Sequence, residues 1–202
     1  MVHPVLEAVT NDIIERSRVG RAAYLARIDA AVEVGPHRAQ LECGNLVHAF
    51  AASAAGEKAD LSANVKANIG IISAYNDMLS AHQPYKNYPD LIKRAALLAG
   101  GVAQFAGGVP AMCDGVTQGQ PGMELSLFSR DVIAMASAIG LSHNMFDGAL
   151  FLGICDKIVP GALVTCQRFS YLAVQCQVGY PTKKKCVFGS FMLKVKWVEM
   201  PY

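Results

Sequence analysis

Three short apolar runs, each followed at once by polar residues, constrain the fold of this chain most. The runs occupy residues 68–73, 108–113 and 148–155, and Pro110 makes the second run the weakest strand candidate. Segments with helical periodicity and helix-ending glycines separate the runs. Strands that alternate with helices of this length favour right-handed crossovers. The sequence therefore predicts an α/β fold, in which helices flank a parallel sheet that spans about residues 60–164.

Capping residues and periodicity predict three of the longer helices. Thr10 is the expected N-cap of an amphipathic helix near the start of the chain. Pro89 is expected to begin a second helix, which Gly100 closes. Either Ser126 or Ser129 is expected to cap a third helix, which precedes the last apolar run.

The composition is that of a globular protein. Hydrophobic residues make up 52% of the chain and charged residues 17%, which is too apolar for a disordered protein. No apolar run approaches the roughly 18 residues of a membrane span, and the N-terminus lacks the basic and apolar regions of a signal peptide. The six cysteines match neither a small disulfide framework nor a zinc ribbon. We therefore expect a cytoplasmic protein without a membrane partner.

Polar side chains with metal-binding chemistry follow each apolar run. They are Asn76 and Asp77 after the first run, Cys113 and Asp114 after the second, and Cys155, Asp156 and Lys157 after the third. Ligands of open parallel sheets bind at the carboxyl ends of the strands, so these side chains would share one crevice. Carboxylates suit magnesium and thiolates suit iron–sulfur clusters. The alternative, that the aspartates only cap turns, stays open because spacing does not decide between them.

Several motifs, in the right order, resemble one enzyme family. The motifs are CDGVTQGQPGMELSLFSRDVIA (113–134), LSHNMFDGAL (141–150) and CDKIVPG (155–161). They resemble the dehydratase family that unites dihydroxy-acid and 6-phosphogluconate dehydratases, and the similarity runs from about residue 3 to about residue 164. Within that family, SAYNDMLSAHQPY (73–85) and SHNMFDGAL look like the 6-phosphogluconate branch.

The resemblance implies an iron–sulfur hydro-lyase of the Entner–Doudoroff pathway. Such enzymes remove water from 6-phosphogluconate to give 2-dehydro-3-deoxy-6-phosphogluconate, with a [4Fe-4S] cluster and Mg²⁺ as cofactors. The alternatives are a dihydroxy-acid or other sugar-acid substrate, and a non-catalytic fragment. The family further implies a small-molecule substrate rather than nucleic acid, and a homodimer for the full-length protein.

The family's functional residues carry over to four positions. Cys155 corresponds to a cluster ligand, and Asp114 and Asp156 to magnesium ligands. Lys157 corresponds to the lysine that is carbamylated in dihydroxy-acid dehydratases, which implies a catalytic, metal-binding role. Carbamylation makes chemical sense, because it turns a cation into an oxygen ligand.

One departure from the family pattern concerns the cluster. Members with a two-iron cluster have a cysteine where this chain has Ala81, which implies a [4Fe-4S] cluster with one open iron. The neighbouring His82 either approaches that cluster or is a solvated loop residue. Cys113 and Cys43 are expected to pack as small hydrophobic side chains.

The end of the chain differs from the rest in charge and in composition. Residues 1–164 hold 12 Lys and Arg against 15 Asp and Glu, whereas residues 165–202 hold six against one. We therefore expect a helical segment at 1–60, an α/β core at 61–164 and an unrelated tail at 165–202, with the abrupt change that a frameshift would produce. The tail is expected to be poorly ordered or to form an opportunistic strand, and the chain to be a truncated, inactive fragment without the family's C-terminal domain.

Overall fold

The computed structural model describes residues 2–30, 35–126, 128–168 and 172–176, and the chain divides into two compact units, Met1–Val34 and Gly35–Tyr202. The first unit contains the helix α1 (Pro4–Ala30). The hydroxyl of Thr10 lies within this helix and donates to the carbonyl of Leu6 at 2.7 Å. The predicted N-cap at Thr10 is therefore wrong, since the helix already starts at Pro4, a residue that the first turn accommodates.

A parallel β-sheet forms the centre of the second unit. Its described strands are β1 (Asn68–Ser73), β2 (Val102–Gly108), β3 (Gly148–Leu152) and β4 (Leu172–Cys176). They lie in the order β2-β1-β3-β4, and every pairing between neighbours is parallel. The predicted α/β fold with a parallel sheet flanked by helices is confirmed.

Helices connect and cover the strands. They are α2 (Cys43–Phe50), α3 (Ala55–Ser62), α4 (Tyr88–Leu98), α5 (Asp114–Thr117), α6 (Ser129–Leu141) and α7 (Cys155–Arg168). Short 3₁₀ turns lie at His37–Gln40, Gln83–Lys86 and Pro121–Leu125. None of the helices in the described part of the chain is long and apolar enough to cross a bilayer.

The predicted helix ends are right for α4 and wrong for α6. Helix α4 ends before Gly100, whose φ of +82° is the left-handed conformation of a helix-terminating glycine. Helix α6 has Phe128 at its N-cap position, with no side-chain cap. The hydroxyl of Ser126 donates instead to the carboxylate of Asp114, and that of Ser129 to a backbone carbonyl.

The second strand lies before the run predicted for it. The sequence predicts a strand at residues 108–113, whereas β2 ends at Gly108. The last bond to β1 is that from the N–H of Val109 to the carbonyl of Ser73, at 2.9 Å. Pro110 follows without an N–H, so it cannot continue the ladder.

Apolar side chains cover both faces of the sheet. Ile72 and Phe151 face one buried cluster with residues of α6 and α7, and Ile71 and Leu152 face another with residues of α4. Burial on both faces explains why these strands read as continuous apolar runs. Gly70 is required within β1, because a Cβ atom there would lie 2.8 Å from the ring of Phe146.

Helices α6 and α7 pack closely against each other. A Cβ atom on Gly161 would lie 2.9 Å from the carbonyl oxygen of Arg130, and the hydroxyl of Thr165 donates to the carbonyl of Ala134 at 3.2 Å. Pro160 lies inside α7, immediately before this contact. The contact fixes the direction of α7, whose first residue lies near the end of β3.

Part of the segment expected to be an unrelated tail belongs to regular structure. Helix α7 continues to Arg168, and β4 pairs with β3 from Leu172 opposite Gly148 onward. The sheet therefore extends beyond residue 164. Residues 169–171 and 177–202, with the apolar stretch 187–198, lie outside the described residues, so the expected disorder and the domain boundaries stay predictions.

Candidate active site

The candidate site lies where β1, β2 and β3 end. Ser73 pairs with Gly108 on one side and with Leu152 on the other, so the three strands stop at one level. Strand β1 lies between β2 and β3, so β2 and β3 are not neighbours. Residues 109–113 connect β2 to the start of α5. This connection places Asp114 beside the first turn of α7.

Lys157 is the centre of this cluster. Its side chain is 2% exposed, and its ammonium group is ion-paired with the carboxylate of Asp114 and with that of Asp156, the latter at 3.0 Å. Burial lowers the pKa of Lys157, but its bonds to the two carboxylates raise that pKa by more, so the net shift is upward. The amine is therefore a cation at neutral pH.

The two carboxylates differ in their surroundings. Asp114 is half-buried, and its Oδ1 atom accepts a hydrogen bond from the hydroxyl of Ser126 at 2.8 Å. The bond from Lys157, followed by that from Ser126, lowers the pKa of Asp114. The side chain of Asp156 is 66% exposed. Asp114 is thus an acceptor held by two donors, whereas Asp156 is an acceptor open to solvent.

Cys155 begins α7 in an unusual backbone conformation. Its φ of +74° lies in the left-handed region, which costs a residue with a side chain about 1–2 kcal/mol. Burial, and after it the neighbouring Cys113, raises the pKa of Cys155 to about 11. The sulfur is therefore a protonated thiol at neutral pH.

His82 is fully buried and contacts Cys155. Its Nδ1 atom lies 2.7 Å from the carbonyl oxygen of Ala74, and its Nε2 atom 3.4 Å from the Sγ atom of Cys155. A carbonyl only accepts, so Nδ1 carries the proton and the Nε2 lone pair faces the thiol. Burial lowers the pKa of His82 despite the bond to Ala74, which keeps the ring neutral.

The structure decides between the two expectations for His82. The residue approaches Cys155, and the alternative of a solvated loop histidine is wrong. The sequence offers one signal for this role, which is its position next to Ala81, where two-iron members of the family have a ligand. Composition and periodicity do not indicate this role. The position of the ring depends on a 3₁₀ turn after β1, which has no periodic sequence pattern.

The remaining candidate residues are not all part of this cluster. Cys113 is half-buried, and it is one of the groups that raise the pKa of Cys155. Cys43 is exposed on α2, so the burial expected for Cys43 is wrong. The amide of Asn76 donates to the carbonyl of Ala111 at 3.0 Å. The carboxylate of Asp77 accepts from the hydroxyl of Tyr75 at 2.9 Å, on an exposed turn.

The donor atoms at the site are of the kinds that magnesium and an iron–sulfur cluster prefer, but they complete neither ligand set. Asp114 and Asp156 already share one cation, the ammonium of Lys157, and their oxygens are the ligands that Mg²⁺ prefers. Cys155 offers a sulfur, beside an imidazole whose other nitrogen is held by a carbonyl, as in ligating histidines. Within the described residues, no three His, Cys, Asp or Glu side chains form a group able to hold a metal ion alone.

The site lies within the part of the chain that matches a known family. Residues 66–200 match the sequence model of the dihydroxy-acid/6-phosphogluconate dehydratase N-terminal domain. The match thus continues past residue 164, where the recognisable motifs stop.

Relatives named phosphogluconate dehydratase match most of the chain. Phosphogluconate dehydratase of Escherichia coli (strain K12) is 63% identical over 171 residues, which are 85% of this chain and 28% of the relative. The phosphogluconate dehydratase of Zymomonas mobilis subsp. mobilis is 53% identical over 190 residues, 91% of this chain and 31% of the relative. A dihydroxy-acid dehydratase of Endomicrobium trichonymphae is 35% identical over 111 residues, 55% of this chain and 20% of the relative.

The chain thus spans less than a third of the length of these relatives. The family match nevertheless covers more than half of the chain and includes every residue of the Lys157 cluster, together with His82 and Cys155. By this sequence match, the chain belongs to the dihydroxy-acid/6-phosphogluconate dehydratase family.

Proposed function

We propose that this chain supplies the N-terminal part of an active site that dehydrates 6-phosphogluconate to 2-dehydro-3-deoxy-6-phosphogluconate. The observation that carries the proposal is the cluster of Asp114, Asp156 and Lys157 beside Cys155, at the carboxyl edge of the sheet. The relatives named phosphogluconate dehydratase support this substrate over a dihydroxy acid, since they are 53–63% identical where the dihydroxy-acid dehydratase is 35% identical.

Each residue of the site has a role in holding the proposed cofactors. Cys155 would ligate a [4Fe-4S] cluster, and Asp114 and Asp156 would ligate Mg²⁺. When bound, these groups supply Lewis acids for the departing hydroxyl and for the negative charge that develops on the substrate. Ser126 donates to Asp114 and so fixes the direction of one of the ligating carboxylates.

Lys157 has two roles in the proposal, which depend on its chemical state. As an ammonium it neutralises the two carboxylates and holds them at the distance that a shared cation requires. Carbamylation, in which the ammonium first loses one proton and the neutral amine then adds CO₂ and loses a second proton, would replace that charge by an anionic oxygen ligand. The residue would then bind the metal that its ammonium form excludes.

His82 would position the cluster ligand. Its Nε2 atom faces the Cys155 sulfur, and its Nδ1–H is fixed by Ala74. A neutral imidazole in this place holds the thiol towards the crevice without adding charge. Since the described residues hold no complete three-donor group, we expect the isolated chain to have no dehydratase activity.

Cofactor binding is tested in a chimera of this chain with the Escherichia coli relative, which supplies the rest of the donor set. Anaerobic reconstitution with iron and sulfide should load the chimera, and Cys155→Ala should lower the bound iron. Cys43→Ala is the matched control, because that thiol is exposed on α2 and should be dispensable. Equal iron in the chimera and in its Cys155→Ala variant would remove Cys155 from the proposal.

Activity is tested in a chimera that supplies the rest of the family architecture. The 171 matching residues of the Escherichia coli relative are replaced by those of this chain, and formation of the 2-keto product is measured. Asp114→Asn should lower kcat at least about 100-fold, since a direct metal ligand matters more than its supporting partners. Asp90→Asn, on the exposed surface of α4, should leave kcat close to that of the chimera. Turnover of a dihydroxy acid instead of 6-phosphogluconate would contradict the proposed substrate.

A further inference from the structure

Helix α6 is apolar on the face that it turns to solvent as well as on the face that it buries. Ile133 and Leu141 are buried in the cluster that covers one face of the sheet. Val132, Met135 and Ile139 lie on the opposite side of the helix and are 44%, 61% and 77% exposed. The last ten residues of the helix, VIAMASAIGL, include no charged side chain. The exposed side of α6 therefore lacks the polar residues of an ordinary surface helix.

The exposed apolar residues continue to the edge of the sheet that holds the candidate active site. Phe128 lies one helical turn before Val132, and Leu125 ends the preceding 3₁₀ turn; both side chains are exposed. Ser126, which lies between them in sequence, donates to the carboxylate of Asp114 at 2.8 Å. The α6 row is the name used below for these five exposed residues: Leu125, Phe128, Val132, Met135 and Ile139. From Phe128 to its far end the row extends about 16 Å, at 1.5 Å per helical residue.

A row of this kind requires a covering partner. Apolar side chains on the surface of a monomer are normally scattered singly, and contiguous ones mark interaction sites. A helix that is apolar on all sides belongs to the core of a larger protein or to a membrane. Helix α6 has 13 residues, whereas a membrane span needs about 20. These observations favour a protein surface as the partner of α6.

We propose that the α6 row packs against an apolar surface of the dehydratase polypeptide that lies outside the matched residues. The matched residues make up less than a third of the relatives, so most of such a polypeptide is available as a partner. Within the described residues, no three His, Cys, Asp or Glu side chains form a metal-binding group, so further donors must approach Asp114. The row begins beside Asp114, and a partner that lies along the row reaches the site. This choice of partner rests on the proposed function, because only a site that needs further donors requires it.

Hydroxyl-radical footprinting tests whether the row is covered. The isolated chain is compared with the chimera, which adds the rest of the Escherichia coli relative. Met135 and the buried Met145 lie on one tryptic peptide, residues 131–157. Met135 should be oxidised at least about fivefold more slowly in the chimera, because a packed interface excludes water from its members. Met145 should stay unreactive in both proteins, and Leu98, which is 90% exposed at the end of α4, should react equally in both.

Charged substitutions test the same contact through stability. Ile139→Glu should leave the urea midpoint of the isolated chain unchanged, because that side chain is exposed. The same substitution should lower the midpoint of the chimera, since a carboxylate would be buried against apolar groups. Leu98→Glu is the matched control and should change neither midpoint. Neither readout needs turnover, so a chimera that protects Met135 but does not dehydrate 6-phosphogluconate would support the α6 contact and contradict the proposed function.

The opposite results would overturn the proposal. Equally fast oxidation of Met135 in the two proteins would show that nothing covers the row. Equally slow oxidation would show that the isolated chain already covers the row, either with a second copy or with its own residues. Light scattering separates these two cases, because a second copy would give a dimer that Ile139→Glu splits. An unchanged urea midpoint of the chimera with Ile139→Glu would likewise contradict the contact.

Discussion

The Nε2 atom of His82 lies 3.4 Å from the Sγ atom of Cys155, and the opposite ring nitrogen is bonded to the carbonyl of Ala74. The ring is thus fixed on both sides in one tautomer, without solvent contact. A protonated imidazole there would be a buried cation whose second N–H faces a thiol, a weak acceptor. The folded chain therefore resists protonation at this position.

His82 should make the chain less stable in mild acid. Burial lowers the pKa of His82, so below its ordinary value of about 6.5 the unfolded chain binds a proton that the folded chain does not. The free energy of unfolding should therefore fall as the pH drops below about 6.5, and the fall should end below the lowered pKa. In His82→Asn, which keeps a donor for Ala74 but does not titrate, this fall should be smaller. Urea unfolding at pH 5 and pH 7.5 measures this fall in the chain and in His82→Asn. An equal fall in the unfolding free energy of the two proteins would contradict the prediction.

Asp114 should contribute a second, more acidic pH dependence. The bond from Lys157 and then that from Ser126 lower the pKa of Asp114, so its stabilising effect is complete above the unfolded value of about 3.9. The effect is lost as the pH falls through the lowered pKa. The difference in unfolding free energy between the chain and Asp114→Asn should therefore be constant above pH 5 and shrink in stronger acid. In a Lys157→Met background the same substitution should show much less pH dependence, because the main cause of the shift is gone.

Removal of the buried Lys157 ammonium should cost more stability than removal of the partly exposed ammonium of Lys66. Lys157→Met leaves Asp114 and Asp156 facing each other without their shared cation, and we expect a loss of about 1–2 kcal/mol. The matched control is Lys66→Met, whose partner is Asp60 and whose side chain is 35% exposed, with an expected loss below about 1 kcal/mol. Urea unfolding at pH 7 compares the two variants. A larger loss in Lys66→Met would show that burial of the Lys157 group confers no advantage.

Gly161 should be intolerant of any side chain. A Cβ atom there would lie 2.8 Å from the Cγ2 atom of Ile133 and 2.9 Å from a backbone oxygen, so Gly161→Ala should force α6 and α7 apart at a cost of about 2–3 kcal/mol. Gly56→Ala is the control, because a Cβ atom on that residue of α3 meets nothing within 4 Å. It should raise stability by up to about 1 kcal/mol through helix propensity. Thermal unfolding, monitored by circular dichroism, compares the two variants. A similar change of stability in both would contradict the predicted clash.

The sequence predicted the strands where apolar runs stop at clear signals. The first run matches β1 at both ends, and the third matches β3 except that the chain leaves the sheet after Leu152 and starts a helix at Cys155. The second run failed because β2 contains no apolar run: after the buried Val102 and Ala103, the exposed Phe105 stands between Gln104 and Ala106, and two glycines follow. Periodicity therefore located strands that pack on both faces and missed an edge strand rich in small residues.

The members of the site were predictable from motifs, whereas their contacts were not. The motifs identified Asp114, Asp156, Lys157 and Cys155, and the structure brings all four to one edge of the sheet. The ion pair between Asp114 and Lys157 depends on the path of residues 109–113, which no local pattern encodes. Metal and cluster binding by these residues, the homodimer expected for the full-length family and the cytoplasmic location stay predictions.

Pro160 gives the first turn of α7 some mechanical independence. A helix would normally donate the N–H of residue 160 to the carbonyl of Asp156, and proline has no N–H to donate. The turn that carries Cys155, Asp156 and Lys157 is therefore tied to the rest of the helix by one backbone hydrogen bond fewer. Gly161 anchors the following turn against α6, so the anchored part can stay in place while the first turn adjusts its angle. The compliance of this helix is thus concentrated in the turn that carries Cys155, Asp156 and Lys157, the residues for which we propose a change from bonding one another to bonding a metal.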